Sequence, residues 1–108
     1  MKKSEYLINT IDGVKEVEGF VETVYASDGH PITLGYDNRG TRTLPLWRVT
    51  ELSTGLLCST IDYKSRKTAH NDVTKSKTLD VIKTVSCSTN AQEYKDKIQN
   101  YIQNHLIK

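Results

Sequence analysis

The side chains of this sequence that could bind a metal ion are three histidines and two cysteines. They are His30, His70, His105, Cys58 and Cys87. No two of them stand at the close spacings of zinc sites, such as C-x-x-C or H-x-x-x-H. The sequence therefore predicts no metal site, and we expect three surface imidazoles and two small buried thiols.

Other combinations of residues also fall short of a catalytic site. Nucleophilic catalysis needs a Ser, Cys or Thr beside a base that a third group orients, and His70 with Asp72 lies in a segment too polar to fix that geometry. Glu16, Glu18 and Glu22 share one face of a predicted strand, where all three point into water and none into an apolar pocket. No phosphate-binding glycine motif is present. We therefore expect a non-enzymatic protein without a cofactor.

Charge is distributed unevenly along the chain. Residues 1–37 carry a formal charge of −4, residues 38–86 carry +5 and residues 87–108 carry +1. Cations and aromatic rings in and beside the central segment form the candidate binding set. This set consists of Tyr36, Arg42, Trp47, Arg48, Tyr63, Lys64, Arg66, Lys67, Lys75 and Lys77.

The candidate binding set supports two functions. Our leading hypothesis is a binding module that contacts a protein partner through its sheet face and charged strands. In the alternative, cations of the 39–83 segment displace counterions from nucleic-acid phosphates while Tyr36, Trp47 and Tyr63 stack on bases. Convergence of the cations on one face beside one of these rings would favour nucleic acid over a protein partner. A small enzyme built on a Cys/His or acid pair is the third alternative.

Length and composition limit the architecture that could carry these residues. The chain has 108 residues, enough for one domain with a single core. Only 36% of the residues are hydrophobic, so we expect a thin core. No apolar run approaches the roughly 20 residues of a membrane-spanning helix, and no signal peptide follows Met1. We therefore expect a cytoplasmic protein with no membrane contact, in which Cys58 and Cys87 stay reduced.

A C-terminal helix is the best-defined element, because one apolar stripe recurs at spacings of three and four residues. The stripe consists of Ala91, Tyr94, Ile98, Tyr101, Ile102 and Leu106. Thr89 or Asn90 is predicted to cap the start of the helix. Alternating apolar residues just upstream predict an edge strand over residues 78–86, although Ile82 and Lys83 break the alternation.

Turn signals divide the rest of the chain into short segments rich in β-branched and aromatic residues. They predict four strands, over residues 14–25, 32–36, 42–52 and 56–61. Gly19 predicts a bulge, and the change of apolar parity after Pro45 predicts a bulge or a bend. Residues 4–11 fit a strand or a short helix, and residues 64–76 fit a polar loop or a weak helix.

A sheet followed by an amphipathic helix hides both apolar surfaces only if the helix lies on one face of the sheet. We therefore predict an α+β fold, mainly β, in which an antiparallel meander of five to six strands carries one C-terminal helix. A half-open barrel of the OB or SH3-like kind fits this strand count. A homodimer formed by pairing of the 78–86 edge strand is as compatible with the sequence as a monomer.

The segment Leu46–Leu56, with the Ser/Arg/Lys-rich segment after it, resembles small proteins of bacteriophages and mobile elements. Its W-x-V-T-x-x-x-T-G pattern is typical of a hairpin with a short glycine turn. The resemblance implies a small protein that acts by contacting a protein of its host.

Overall fold

The computed structural model describes residues 1–106 and contains one five-stranded antiparallel sheet. The strands are β1 (Lys2–Thr10), β2 (Gly13–Tyr25), β3 (Pro31–Asn38), β4 (Trp47–Glu51) and β5 (Leu56–Leu57), and they lie in the sheet in chain order. The sheet curls into a half-barrel, and the Asn9 amide donates to the Gly55 carbonyl at 2.8 Å beside β5. The predicted α+β meander and half-open barrel are confirmed.

Three helices follow the sheet, whereas the sequence predicts one and leaves residues 64–76 open to a second. They are α1 (Arg66–Val73), α2 (Ser76–Ser86) and α3 (Gln92–Tyr101), with a 3-10 turn before α3 (Thr89–Ala91) and a π-helical turn after it (Ile102–Leu106). Helix α3 confirms the predicted C-terminal helix, and Ala91 and Ile98 of its stripe are buried. The Leu106 side chain lies outside the described residues. Neither Thr89 nor Asn90 caps this helix with its side chain.

Strand register decides which side chains share the main core. Phe20 pairs with Tyr36 and Tyr36 pairs with Val49, so these side chains lie on one face of the sheet. Helices α1 and α2 cover this face and contribute their own apolar side chains. The buried cluster consists of Ala26, Ile32, Leu34, Tyr36, Val49, Tyr63, Ala69, Val73, Leu79 and Ile82.

The edge strand predicted over residues 78–86 is wrong, because this segment is helix α2. Leu79, Ile82 and Ser86 are buried at helical spacing, whereas Val81 is 62% exposed and Val85 is 53% exposed. The apolar residues fit both a period of two and a helical period, and packing of the Leu79 and Ile82 face into the core selects the helix. Self-pairing of an edge strand at this position is therefore also wrong.

Two ambiguous segments are resolved, and two strands are shorter than predicted. Residues 4–11 belong largely to β1, and α1 lies within residues 64–76. The segments predicted as strands over 42–52 and 56–61 contain only β4 and β5. Residues 39–46 form a connecting loop, in which the Arg39 amide donates to the Leu46 carbonyl at 2.9 Å. The parity change after Pro45 marks the start of β4.

Gly19 has a different role from the predicted bulge. It pairs with Ser4 in an unbroken register between β1 and β2. A Cβ atom at this position would lie 2.1 Å from the carbonyl oxygen of Tyr36. Glycine is therefore required here because the backbone of β3 passes too close to leave room for a side chain.

No helix within residues 1–106 is long and apolar enough to cross a membrane.

Candidate functional site

A cleft of about 680 Å³ opens beside the start of β4, the 39–46 loop and the first turn of α1. Its cationic lining residues are Arg42, Lys64, Arg66 and Lys67, and His70 lies with them. Among the described residues, no Asp or Glu lines it. We call this site the basic cleft.

Two aromatic rings form the floor of the basic cleft. Phe20 of β2 and Trp47 of β4 have ring centroids 6.2 Å apart, and both rings are half-buried against the main core. Reciprocal backbone hydrogen bonds of 2.8 and 3.0 Å between Trp47 and Tyr63 hold the start of β4 in place. The floor is therefore positioned by the sheet and not by a loose loop.

Helix α1 positions the cationic wall. Ser65 adopts an extended backbone conformation before the helix, and its Oγ accepts a hydrogen bond from the Thr68 amide at 3.1 Å. Ala69 and Val73 fix the other side of the helix in the core. The Arg66 guanidinium consequently lies over the Phe20 ring, 3.9 Å from its centroid, in a cation–π contact.

Within the described part of the chain, the four cations of the basic cleft differ from most others in having no carboxylate partner. Arg42, Lys64, Arg66 and Lys67 form no ion pair within residues 1–106. Six other cations do form one: Lys3, Arg39, Arg48, Lys75, Lys83 and Lys97. The first turn of α1 also contains no acidic residue, so its Arg66 and Lys67 face the positive end of the helix dipole. This arrangement is unfavourable for the helix alone and favourable for a bound anion.

His70 is held at the wall of the cleft by a carboxylate. Its Nδ1 lies 2.5 Å from Oε2 of Glu22, whose side chain is only 16% exposed. The prediction that Glu22 points into water beside Glu16 and Glu18 is therefore wrong for Glu22, since it shares the sheet face covered by α1. Ser65 supplies a hydroxyl nearby, but that oxygen already accepts the helix-capping bond.

The structure brings together half of the candidate binding set. Arg42, Trp47, Lys64, Arg66 and Lys67 all line the basic cleft. Three other cations of the set lie outside it. Arg48 pairs with Asp62, Lys75 lies 3.4 Å from Asp72, and Lys77 is exposed in the first turn of α2.

Tyr36 and Tyr63 are wrongly predicted as recognition rings. Tyr36 is fully buried in the main core, and Tyr63 is 6% exposed with its hydroxyl donating to Asp72. Burial raises the pKa of both phenols. Neither ring can stack on a ligand, because the core already covers both.

Two residues of the cleft are absent from the candidate binding set. Phe20 joins the cleft only when α1 packs across the sheet, whereas His70 lies one turn after Arg66 on α1 and could be found from helical spacing once that helix is known.

The cysteines and the remaining histidines lie away from the basic cleft. Cys58 is half-buried, and burial raises the pKa of its thiol to about 12. Cys87 is exposed, contrary to the prediction of a buried thiol, and its Sγ lies 3.7 Å from Nε2 of His30. In the part of the chain that the structure describes, no three His, Cys, Asp or Glu side chains are grouped to hold a metal ion.

No family model matches this chain, and comparison with curated proteins and with solved structures gives no significant match.

Proposed function

We propose that this protein binds nucleic acid through the basic cleft. The observation that carries the proposal is the convergence of four cations without carboxylate partners beside Trp47. Scattered cations would favour a protein partner instead. Convergence on an aromatic floor provides the two contacts that nucleic acid needs, one for the phosphates and one for the bases.

Counterion release gives this proposal a measurable signature. Each phosphate neutralised by Lys or Arg adds about 0.7 to 0.9 to the slope of log affinity against log salt concentration. Four such contacts predict a slope of about −3 to −4. Affinity should then fall roughly 100-fold between about 50 and 200 mM salt.

The test compares two double variants that remove the same charge. Lys64→Ala/Lys67→Ala removes two exposed cations of the cleft, whereas Lys15→Ala/Lys77→Ala removes two exposed cations elsewhere. Fluorescence anisotropy of a labelled oligonucleotide, measured across a salt series, reports both affinity and slope. We expect the cleft variant to bind more weakly, with a slope shallower by nearly two. The control should match the wild type.

Two results would contradict the proposal. Equal losses of oligonucleotide affinity in the cleft variant and its control would mean that only the net charge of the protein matters. Absence of binding at low salt would remove nucleic acid as a ligand.

We also propose that the protein acts in the cytoplasm, because neither Cys58 nor Cys87 forms a disulfide.

A second candidate function, contact with a protein partner, is supported by a different surface. Leu57, Val81 and Val85 line a small pocket between β5 and α2, and they are 42%, 62% and 53% exposed. Adjacent exposed apolar side chains are typical of protein contact sites. Both candidates are non-enzymatic.

Variants of α2 separate this function from the first. Val81→Lys/Val85→Lys should abolish capture of a protein partner while leaving oligonucleotide affinity unchanged. The Lys64→Ala/Lys67→Ala variant should behave in the opposite way. Partner capture that survives the α2 substitutions would contradict this second candidate.

A further inference from the structure

We propose that the basic cleft accepts a single strand of DNA or RNA, with one base against Trp47 and a flanking phosphate at the first turn of α1. This proposal rests on the proposed function and adds the form of nucleic acid that the site recognises. Three features of the cleft support it: its size, its floor and its wall.

The size and shape of the cleft suit separate nucleotides better than a duplex. Its volume of about 680 Å³ is that of an open surface depression, wide enough for a nucleotide to lie in. Duplex base edges are reached by an element that projects into a groove about 12 Å wide. Here the cations border an open depression, and Ala69 and Val73 hold α1 against the core, so that no element within residues 1–106 projects. A strand whose bases can enter the depression is the better fit.

The aromatic floor is useful only to an unpaired base. Trp47 offers a flat ring inside the cleft, and the Phe20 ring beside it is covered by the Arg66 guanidinium at 3.9 Å. Together they present one aromatic and one cationic planar group, both of which stack on bases. Base faces are hidden within a duplex, so this pair of surfaces favours a single strand.

The first turn of α1 provides the phosphate contact. The amides of Arg66 and Lys67 have no acceptor within the helix, because they belong to its first turn. Lys64 precedes the cap residue Ser65, so its charge adds to those of Arg66 and Lys67 at the same end. A phosphate placed here would satisfy the amides and relieve the repulsion between these cations and the helix dipole.

The sole tryptophan of the chain is Trp47, so intrinsic fluorescence reports directly on the basic cleft. We would titrate the wild-type protein with four probes of about ten nucleotides, a length within the usual range of single-strand sites. The probes are a DNA strand, an RNA strand of the same sequence, the DNA duplex, and an abasic DNA strand that retains only sugars and phosphates.

We expect at least one of the two single strands to quench Trp47 and to bind at least about tenfold more tightly than the duplex. The abasic strand should bind between about fivefold and 100-fold more weakly than the DNA strand, because it cannot stack. The ratio of the DNA and RNA affinities shows which of the two nucleic acids the cleft prefers.

Substitution of the ring provides an independent check by anisotropy. Trp47→Phe keeps an aromatic face and should retain most of the affinity for the DNA strand. Trp47→Leu should bind the DNA strand about as weakly as the wild type binds the abasic strand. Trp47 packs against the main core, so circular dichroism must show that both variants are folded. The abasic probe tests stacking even if the Leu variant unfolds.

Different results overturn the two proposals. Duplex binding that equals single-strand binding, or an abasic strand that binds as well as the DNA strand, overturns the single-strand proposal and leaves nucleic-acid binding intact. Failure of all four probes to bind at low salt overturns the proposed function, and the single-strand proposal with it.

Discussion

Glu51, the last residue of β4, is a buried carboxylate that accepts four hydrogen bonds from Ser53 and Thr54 of the following turn, at 2.8 to 3.0 Å. The basic cleft has the opposite arrangement, since its four Lys and Arg side chains line the cleft and form no ion pair within residues 1–106. One region satisfies its charge internally, and the other leaves its charge available for a ligand.

This difference separates residues that stabilise the fold from residues that bind. A buried charge is tolerated only when hydrogen bonds compensate its desolvation, so the Glu51 turn contributes to stability and offers nothing to a ligand. Exposed cations keep their hydration and contribute little to stability. Substitutions in the two regions should therefore affect different measurements.

The largest expected effect is the loss of stability when Glu51 is replaced. Glu51→Ala leaves the Thr54 amide and hydroxyl without their main acceptor, and Thr54 is 2% exposed. We expect the free energy of unfolding to fall by about 3 kcal/mol, as measured by urea denaturation. Glu51→Gln should lose less, because one oxygen can still accept the three bonds made to Oε1. Wild-type stability of the Ala variant would contradict this account of the turn.

A smaller effect, of opposite sign, is expected in the cleft. Lys67→Glu places an acid in the first turn of α1 and should raise the free energy of unfolding by about 0.3–1 kcal/mol. The same substitution should weaken oligonucleotide binding. Lys77→Glu is a matched control, because Lys77 occupies the equivalent position of α2 outside the cleft. Lys77→Glu should raise the free energy of unfolding by a similar amount without weakening oligonucleotide binding. A loss of affinity as large as that of Lys67→Glu would show that the basic cleft is no different from other cationic surface.

The smallest effect concerns a surface cation that does have a partner. Lys83 of α2 lies 2.9 Å from Asp28 in the turn before β3, and this hydrogen bond lowers the pKa of the Asp28 carboxyl. A lowered pKa contributes stability above the unfolded value of about 3.9, and the contribution is lost as pH falls through the folded value. Asp28→Asn should therefore be slightly less stable than the wild type near neutral pH.

Urea denaturation at several pH values tests this dependence. The difference between Asp28→Asn and the wild type should disappear in acid, while oligonucleotide affinity stays unchanged at neutral pH. A difference that persists below the pKa of Asp28 would show that the carboxyl acts through something other than its charge.

Half of the candidate binding set lies in the basic cleft, and the reasons for success and failure differ from residue to residue. Lys64, Arg66 and Lys67 are close together in the chain, so their charge is visible locally. Phe20 is invisible in the sequence because it reaches the cleft only through the β2–β3 register and the packing of α1. Tyr36 is buried for the same reason, since the register places it under the helices, where the sequence alone does not reveal it.

The fold shows a similar limit. Turn residues predict the meander because their conformational preferences act over a few residues. The segment of α2 carries β-branched residues that fit either period, and only the core contact of Leu79 and Ile82 distinguishes them. Ile82 and Lys83, which interrupt the alternation, are the local signal that favoured a helix.

Asn9 connects three distant parts of the chain. Its backbone amide donates to the Gly55 carbonyl at 2.8 Å. Its side-chain amide donates to the Thr54 carbonyl at 2.7 Å and to the Tyr94 carbonyl of α3 at 3.1 Å. Gly55 has a φ of +68°, and a Cβ atom there would lie 2.9 Å from the Asn9 amide. The two terminal segments are thereby joined through one side chain. We expect β1 and α3 to open as a single cooperative unit, with their amides exchanging hydrogen together.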